Sequence, residues 1–295
     1  MKERLTLPRE FQGLQVIASV SGGKDSTALL LALREAEIPF DAVFADTGWE
    51  AQTTYDYLDY LRAELLIDIH TVGHPGGMVD KIMKRAGFPA RMQRWCTREL
   101  KIQPLQAFHR TYHDRGIETV SAMGIRAAES EKRSKMTEVA DDDEWGGWVW
   151  RPLIAWTVEE VLEVHNRHGI KVNPLYQLGF DRVGCLPCIY ENKESVRLVA
   201  EPFPKRIEQI ERLELDCNAL RAQRNEEKPD RYTYPHDATF FMVKHGVKPM
   251  GIREVVQWSQ TSRGGRQFSL FAPEPRGGCM KWGLCDMPPK KDEEP

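Results

Sequence analysis

Residues 14–33 limit most sharply what this chain can become. Leu14–Val20 (LQVIASV) is a short, continuous, β-branched run, the composition of a strand covered on both faces. The apolar residues after Ser26 (TALLLAL) read as a helix. Between the two stand Ser21, Gly22, Gly23, Lys24, Asp25 and Ser26. A strand that turns through paired glycines into a helix presents amides without intrahelical partners at the positive end of the helix dipole, which suits an oxyanion. Glycine also lets backbone approach a phosphate closely. The ordinary ATP-binding loop, G-x-x-x-x-G-K-[ST], is not written here, since Asp25 follows Lys24 and no glycine stands at the required distance before Gly23.

Downstream, Asp41–Ala45 (DAVFA) reads as a second buried strand, closing on Asp46, and residues 52–65 as an amphipathic helix. Ile67–Val72 and Thr119–Met123 add strands, the latter closing on Gly124, Ile125 and Arg126, and Trp148–Ile154 adds a short one. Strand and helix in alternation predict an α/β fold, a doubly wound and mostly parallel sheet. Ligands of such sheets sit at the carboxyl ends of the strands, where SGGKDS, Asp46 and Arg126 all fall. Asp46 is either a turn residue or a contact to nucleotide or metal. Arg126 has the planar fork that suits phosphate or sulfate. Asp141–Glu144 reads as a solvated acidic loop. Thr157 and Glu160 form a capping box for a helix over Val158–His168, on which His165 and His168 read as surface residues. Helices near Lys193–Ala200 and Pro204–Arg224 follow, with Cys217 a small core residue. The expected division is a nucleotide-binding α/β domain over residues 1–190, a helical extension over 191–271 and an irregular tail over 272–295, its last residues disordered.

Forty-one basic against 44 acidic residues leave a net charge of -3, so bulk electrostatics do not predict a nucleic-acid binder. Locally, Lys81, Lys84, Arg85, Arg91, Arg94, Arg98 and Lys101 face Glu99 alone, which makes either a solvated helix face or an anion-facing wall. No apolar stretch spans a bilayer and no signal-peptide pattern is present, so a cytoplasmic protein with no membrane partner is expected. In that compartment six cysteines point to metal or redox chemistry rather than disulfides. Cys185 and Cys188 form a C-x-x-C, and Cys96, between Trp95 and Thr97 with Arg94 and Lys101 near, has surroundings that favour thiolate. Zinc and iron-sulfur clusters both accept such ligands.

SGGKDS in its strand-to-helix setting resembles the pyrophosphate (PP) loop of the ATP pyrophosphatase superfamily. Together with FADTGWE, RWCTRELKIQP, GIRAAESEKR, RPLIAWTVEEV and NPLYQLGFDRVGCLPC, in that order over roughly residues 14–195, it resembles the phosphoadenosine phosphosulfate (PAPS) reductase family, especially its phage and bacterial members and the sulfur-inserting enzymes of DNA phosphorothioation. The resemblance implies a Rossmann-like sheet of the adenine nucleotide alpha hydrolase kind with a C-terminal helical extension. It implies a nucleotide site of Ser21, Gly22, Gly23, Lys24, Asp25, Ser26, Asp46, Lys101, Gly124, Arg126 and Arg133, with Lys24, Asp25 and Arg126 catalytic. It also implies ATP, PAPS or adenylyl sulfate (APS) as nucleotide, Mg2+, and a [4Fe-4S] cluster on Cys96, Cys185 and Cys188. Thr97 stands where the reductases carry the second cysteine of a Cys-Cys pair, which leaves the fourth ligand to the tail, Cys285 in preference to Cys279. The reductases' E-C-G-[LI]-H motif is absent; the tail reads GCMKWGLCD over residues 278–286.

Three functions follow. The first is an adenylating sulfurtransferase that splits ATP into AMP and pyrophosphate, drawing sulfur from a donor such as a cysteine desulfurase or from an open iron of the cluster, with a small molecule or a nucleic acid reached through a partner as acceptor. The second is a PAPS or APS reductase that releases sulfite through a tail thiolate. The third is a nucleotide-sensing binding module with a structural metal.

Overall fold

The computed structural model describes residues 4–142, 145–231, 233–241 and 249–261. Its elements run β1 (Gln15–Val20), α1 (Lys24–Glu35), β2 (Phe40–Asp46), α2 (Gln52–Leu65), β3 (Ile69–Gly73), α3 (Gly77–Arg85) and a short α4 (Trp95–Thr97). The chain then passes through a π-helical turn, Arg98–Ile102, into α5 (Gln103–His113). β4 (Thr119–Met123), α6 (Glu131–Ser134), β5 (Val139–Asp142), β6 (Gly147–Trp150), α7 (Val158–Arg167), α8 (Lys193–Ala200), α9 (Pro204–Glu227) and α10 (Ile252–Ser259) complete the described chain.

The sheet order is β3-β2-β1-β4-β6-β5, parallel throughout except for the antiparallel β5–β6 edge. The expected α/β, mostly parallel sheet is what the chain forms. β1 shows why its run is uninterrupted. Val16, Ala18 and Val20 pack with α1, α2 and α7 on one face, while Ile17 meets Val43 and Leu105 of α5 on the other. The strand order reverses between β2 and β4 on either side of β1, so the crevice at the carboxyl end of β1 is the place a doubly wound sheet offers to a ligand.

A second apolar cluster joins Trp49, Ile82, Phe88, Leu100, Leu186 and Cys217 to residues of α8, α9 and α10. Cys217 is fully buried, as its helical neighbours imply. The acidic stretch is not simply a loop: Val139–Asp142 is the edge strand β5, and Asp142 accepts a 3.2 Å hydrogen bond from buried Arg151. β6 ends at Trp150, short of the expected Ile154, because Arg151–Ile154 closes into a turn. The capping box of α7 is present, with Glu160 N–H donating to Thr157 Oγ1 and Thr157 N–H to Glu160 Oε2. His165 is not a surface residue: it is 1% exposed, packed between α7 and α1. His168 is half-buried against Glu35. The tail residues expected to take part, Cys279 and Cys285 included, lie outside the described residues.

Candidate functional site

At the carboxyl end of β1 the chain must reverse into α1 within three residues, and Gly22 does this at φ +72°, a left-handed conformation that favours glycine. A Cβ there would also come within 2.9 Å of Thr54 Cγ2. Ser26 closes the loop, its hydroxyl accepting from Ser21 N–H and donating to Gly23 C=O. Behind it the Asn173–Tyr176 turn acts as a brace. Asn173 Nδ2 donates to Gly22 C=O at 3.1 Å, and Lys24 N–H donates to the Tyr176 hydroxyl at 3.1 Å. His165 reaches the same loop from α7, with Nε2 2.9 Å from Lys24 C=O. From β4, Gly124 presses so closely that an added Cβ would lie 2.5 Å from Asp25 C=O.

Lys24 is not on a solvent-facing loop; it opens α1 and is 4% exposed. Its Nζ lies 3.1 Å from Asp25 Oδ2 and 5.1 Å from the centre of the Tyr176 ring. Asp25 is held from the other side by a short hydrogen bond from Arg126 Nε. Two buried cations thus share one carboxylate, so the trio carries a single net positive charge toward the space in front of it. Arg126 begins a tight turn whose Glu129 accepts from Arg126 N–H at 2.8 Å and pairs with Arg133.

All of this faces a cavity of about 1070 Å³. Of the nucleotide residues expected from sequence, Ser21, Gly23, Lys24, Asp25, Ser26, Lys101, Gly124, Arg126 and Arg133 line it. Gly22 sits behind the loop, and Asp46 is not among the lining residues. Its carboxylate instead accepts from Gly48 N–H at 2.8 Å and from the Tyr55 hydroxyl at 2.7 Å. The basic stretch divides: Arg94 and Lys101 face the cavity, whereas Lys81 and Arg85 pair with Glu99, and Lys84 with Asp80.

Cys96, Cys185 and Cys188 line the same cavity. The C-x-x-C loop is brought there by the turn after β2. Leu186 N–H donates to Trp49 C=O, Trp49 Nε1 donates to Pro187 C=O, and Glu50 pairs with Cys185 in an antiparallel bridge. Glu50, which the sequence reading passed over, is 3% exposed and organises this corner. Its carboxylate accepts from Thr47 N–H and Oγ1, and it lies 3.8 Å from Cys185 Sγ and 4.0 Å from Lys101 Nζ. Burial pushes the Cys96 thiol up despite Thr97 and Lys101, and pushes Cys185 up to about 11, so burial outweighs the positive surroundings expected to favour thiolate. Three thiols with a lysine between them have the donor chemistry of an iron-sulfur or zinc site. Among the described residues, however, no three Cys, His, Asp or Glu side chains are grouped closely enough to hold a metal ion.

Asn173, Tyr176, His165 and Glu50 are the site residues that sequence reasoning missed. Only Asn173 and Tyr176 had a signal, the NPLY turn, and nothing in its pattern says which loop it braces.

Comparison with known proteins shows the family. The profile of the phosphoadenosine phosphosulfate reductase domain matches residues 15–191. A 37.8 kDa protein of Escherichia phage 186 is 32% identical across 87% of this chain and 91% of its own length. The adenosine 5'-phosphosulfate reductase of Oceanobacillus iheyensis is 25% identical across 63% of this chain and 76% of its own. Among solved structures, the phosphate complex of PAPS reductase from Candida auris superimposes with a TM-score of 0.46 at 18% identity, covering 59% of this chain and 82% of that one. On the domain match and on the phage relative, the chain belongs to the phosphoadenosine phosphosulfate reductase family of the PP-loop superfamily.

Proposed function

We propose that the protein is an adenylating enzyme of sulfur metabolism. It would cleave ATP between the α and β phosphates, release pyrophosphate and leave an acceptor oxygen adenylylated, so that incoming sulfur displaces AMP. The observation that carries this reading is one cavity lined both by the loop, Lys24 and Arg126 and by Cys96, Cys185 and Cys188. Negative charge grows on the departing pyrophosphate as the bond breaks, and a fixed cation pair beside a helix N-terminus stabilises it without reorganisation. Asp25 keeps both cations in place between turnovers.

Mg2+ enters with the phosphates of ATP as part of the substrate. Sulfur comes from a donor such as a cysteine desulfurase, and the acceptor, a small molecule or a partner-delivered nucleic acid, occupies the cavity beyond the nucleotide. Cys96, Cys185 and Cys188 are the residues that would hold a [4Fe-4S] cluster, with Cys285 of the tail as fourth ligand. Bound by those three thiols alone, it would leave an open iron able to carry sulfide, a position that Cys285 would otherwise fill. Closing around it requires the three thiols to draw together.

Thr97 in place of a second adjacent cysteine, and a tail without the reductase motif, favour transfer over reduction. The second reading, a PAPS or APS reductase, is favoured by the similarity to an adenosine 5'-phosphosulfate reductase. Anaerobic incubation with ATP, APS and PAPS in parallel separates the two. AMP and pyrophosphate from ATP, with no sulfite from either sulfate ester, is the expected outcome; sulfite in place of pyrophosphate would establish the reductase.

A further inference from the structure

His165 has an environment that a neutral imidazole cannot satisfy. Its Nδ1 lies 3.1 Å from Ile170 C=O and its Nε2 lies 2.9 Å from Lys24 C=O. Carbonyl oxygens only accept, and a neutral ring has one N–H and one lone pair, so one of the two contacts sets a lone pair against an oxygen. The imidazolium, with two N–H groups, satisfies both. The fold therefore holds a receptacle for a charged histidine directly behind the first residue of α1.

Without a ligand that charge is opposed. Burial holds the pKa of His165 below its usual value of 6.5, and the Lys24 ammonium works in the same direction against the support of the two carbonyls and of Asp25. Lys24 and Asp25 are the α1 charges that act on it, and Arg126 of the turn after β4 reaches it only through Asp25. At the other end of the α1–α7 contact, Arg167 and His168 both pair with Glu35. An anion at the loop would add negative charge on the far side of Lys24 and reverse this balance.

We infer that His165 is a proton-linked positioning residue: binding of a phosphate-type anion at the Ser21–Ser26 loop shifts His165 toward its protonated form, which donates to both Lys24 C=O and Ile170 C=O and so ties the first turn of α1 to the end of α7. The inference rests on the phosphate-loop reading above and adds to it a coupling that runs both ways, since protonation must strengthen anion binding by the factor by which the anion favours protonation. A multivalent anion within the first turn should move the histidine by about one pH unit.

Inorganic pyrophosphate, titrated calorimetrically into the full-length protein, is the probe. Its own protonation is common to wild type and His165→Gln, which keeps a donor for Lys24 C=O but cannot take a charge. The ratio of wild-type to variant affinity is expected to rise roughly twofold to fivefold between about pH 8 and about pH 6. In buffers of different ionisation enthalpy, the wild type should also take up a larger fraction of a proton than the variant. Equal pH dependence and equal proton uptake would overturn the coupling. Should His165→Gln not fold, the imidazole ¹⁵N spectrum of the wild type decides: pyrophosphate must convert one buried histidine to the imidazolium pattern, and an unchanged spectrum overturns the inference. A wild type that binds no pyrophosphate at any pH would overturn the phosphate-loop reading and this coupling with it.

Discussion

In the proposed reaction Lys24 faces a phosphate while it is buried beside Asp25, and the two demands fix how it should respond to mutation. Lys24→Ala removes a cation aimed at the leaving group and should lower the rate of nucleotide turnover about a hundredfold or more, while Arg126 still neutralises Asp25 and the fold survives. Steady-state kinetics alongside a denaturation curve check both halves. Arg126→Lys keeps the charge but loses the fork that holds Asp25 by Nε, so nucleotide affinity measured by calorimetry should fall; unchanged affinity would remove Arg126 from the ligand's surroundings. For the thiols, Ser at position 96, 185 or 188 should abolish iron binding in anaerobically purified protein, whereas Cys217→Ser, in the core beside Ile82, should not. Colourless wild-type protein with one zinc would replace the cluster by a zinc site. The placement of Lys24 and Arg126 at the carboxyl ends of their strands was legible from the sequence. The burial of Lys24 and His165 was not, because they are covered by the Asn173–Tyr176 turn and by α1, partners more than a hundred positions away in sequence.

Two elements carry the geometry of the loop. α7 is started by the Thr157–Glu160 box and pinned to α1 at the far end, where Arg167 and His168 hydrogen-bond Glu35. Thr157→Ala should cost about 1 kcal/mol in chemical denaturation. Burial tends to raise the pKa of Glu35, but Arg167 and His168 outweigh it and hold it below 4.5. With a folded value lower than the unfolded one, the stability that Glu35 contributes is present above about pH 4.5 and lost as pH falls through the folded value; Glu35→Gln should flatten that part of the acid-denaturation profile. The end of β4 is the second element. Gly124→Ala would drive a methyl into Asp25 C=O, so it should displace the loop and weaken nucleotide binding while costing about 1–3 kcal/mol of stability. Periodicity located the parallel strands and α7, since their apolar runs are continuous or amphipathic. β5 escaped because an edge strand written VADD has one side in solvent and carries no apolar run to reveal it.

Taken together, the strand order brings β1 and β4 side by side and sets their carboxyl ends toward one space. The turn after β2 holds the C-x-x-C loop against that space through Trp49 and Glu50. The cavity of about 1070 Å³ is where the proposed reaction would place the nucleotide and its acceptor. That joint arrangement could not be read from a strand pattern, because it depends on which loops meet across the sheet. Among the described residues no helix is long and apolar enough to cross a membrane. The most direct measurement follows the γ-phosphate of labelled ATP in the presence of sulfide and of Mg2+, with Lys24→Ala as control. Label recovered as pyrophosphate, equimolar with AMP and lost in the control, is the result this account predicts; label recovered as orthophosphate, or ATP left intact while APS or PAPS yields sulfite, would contradict it.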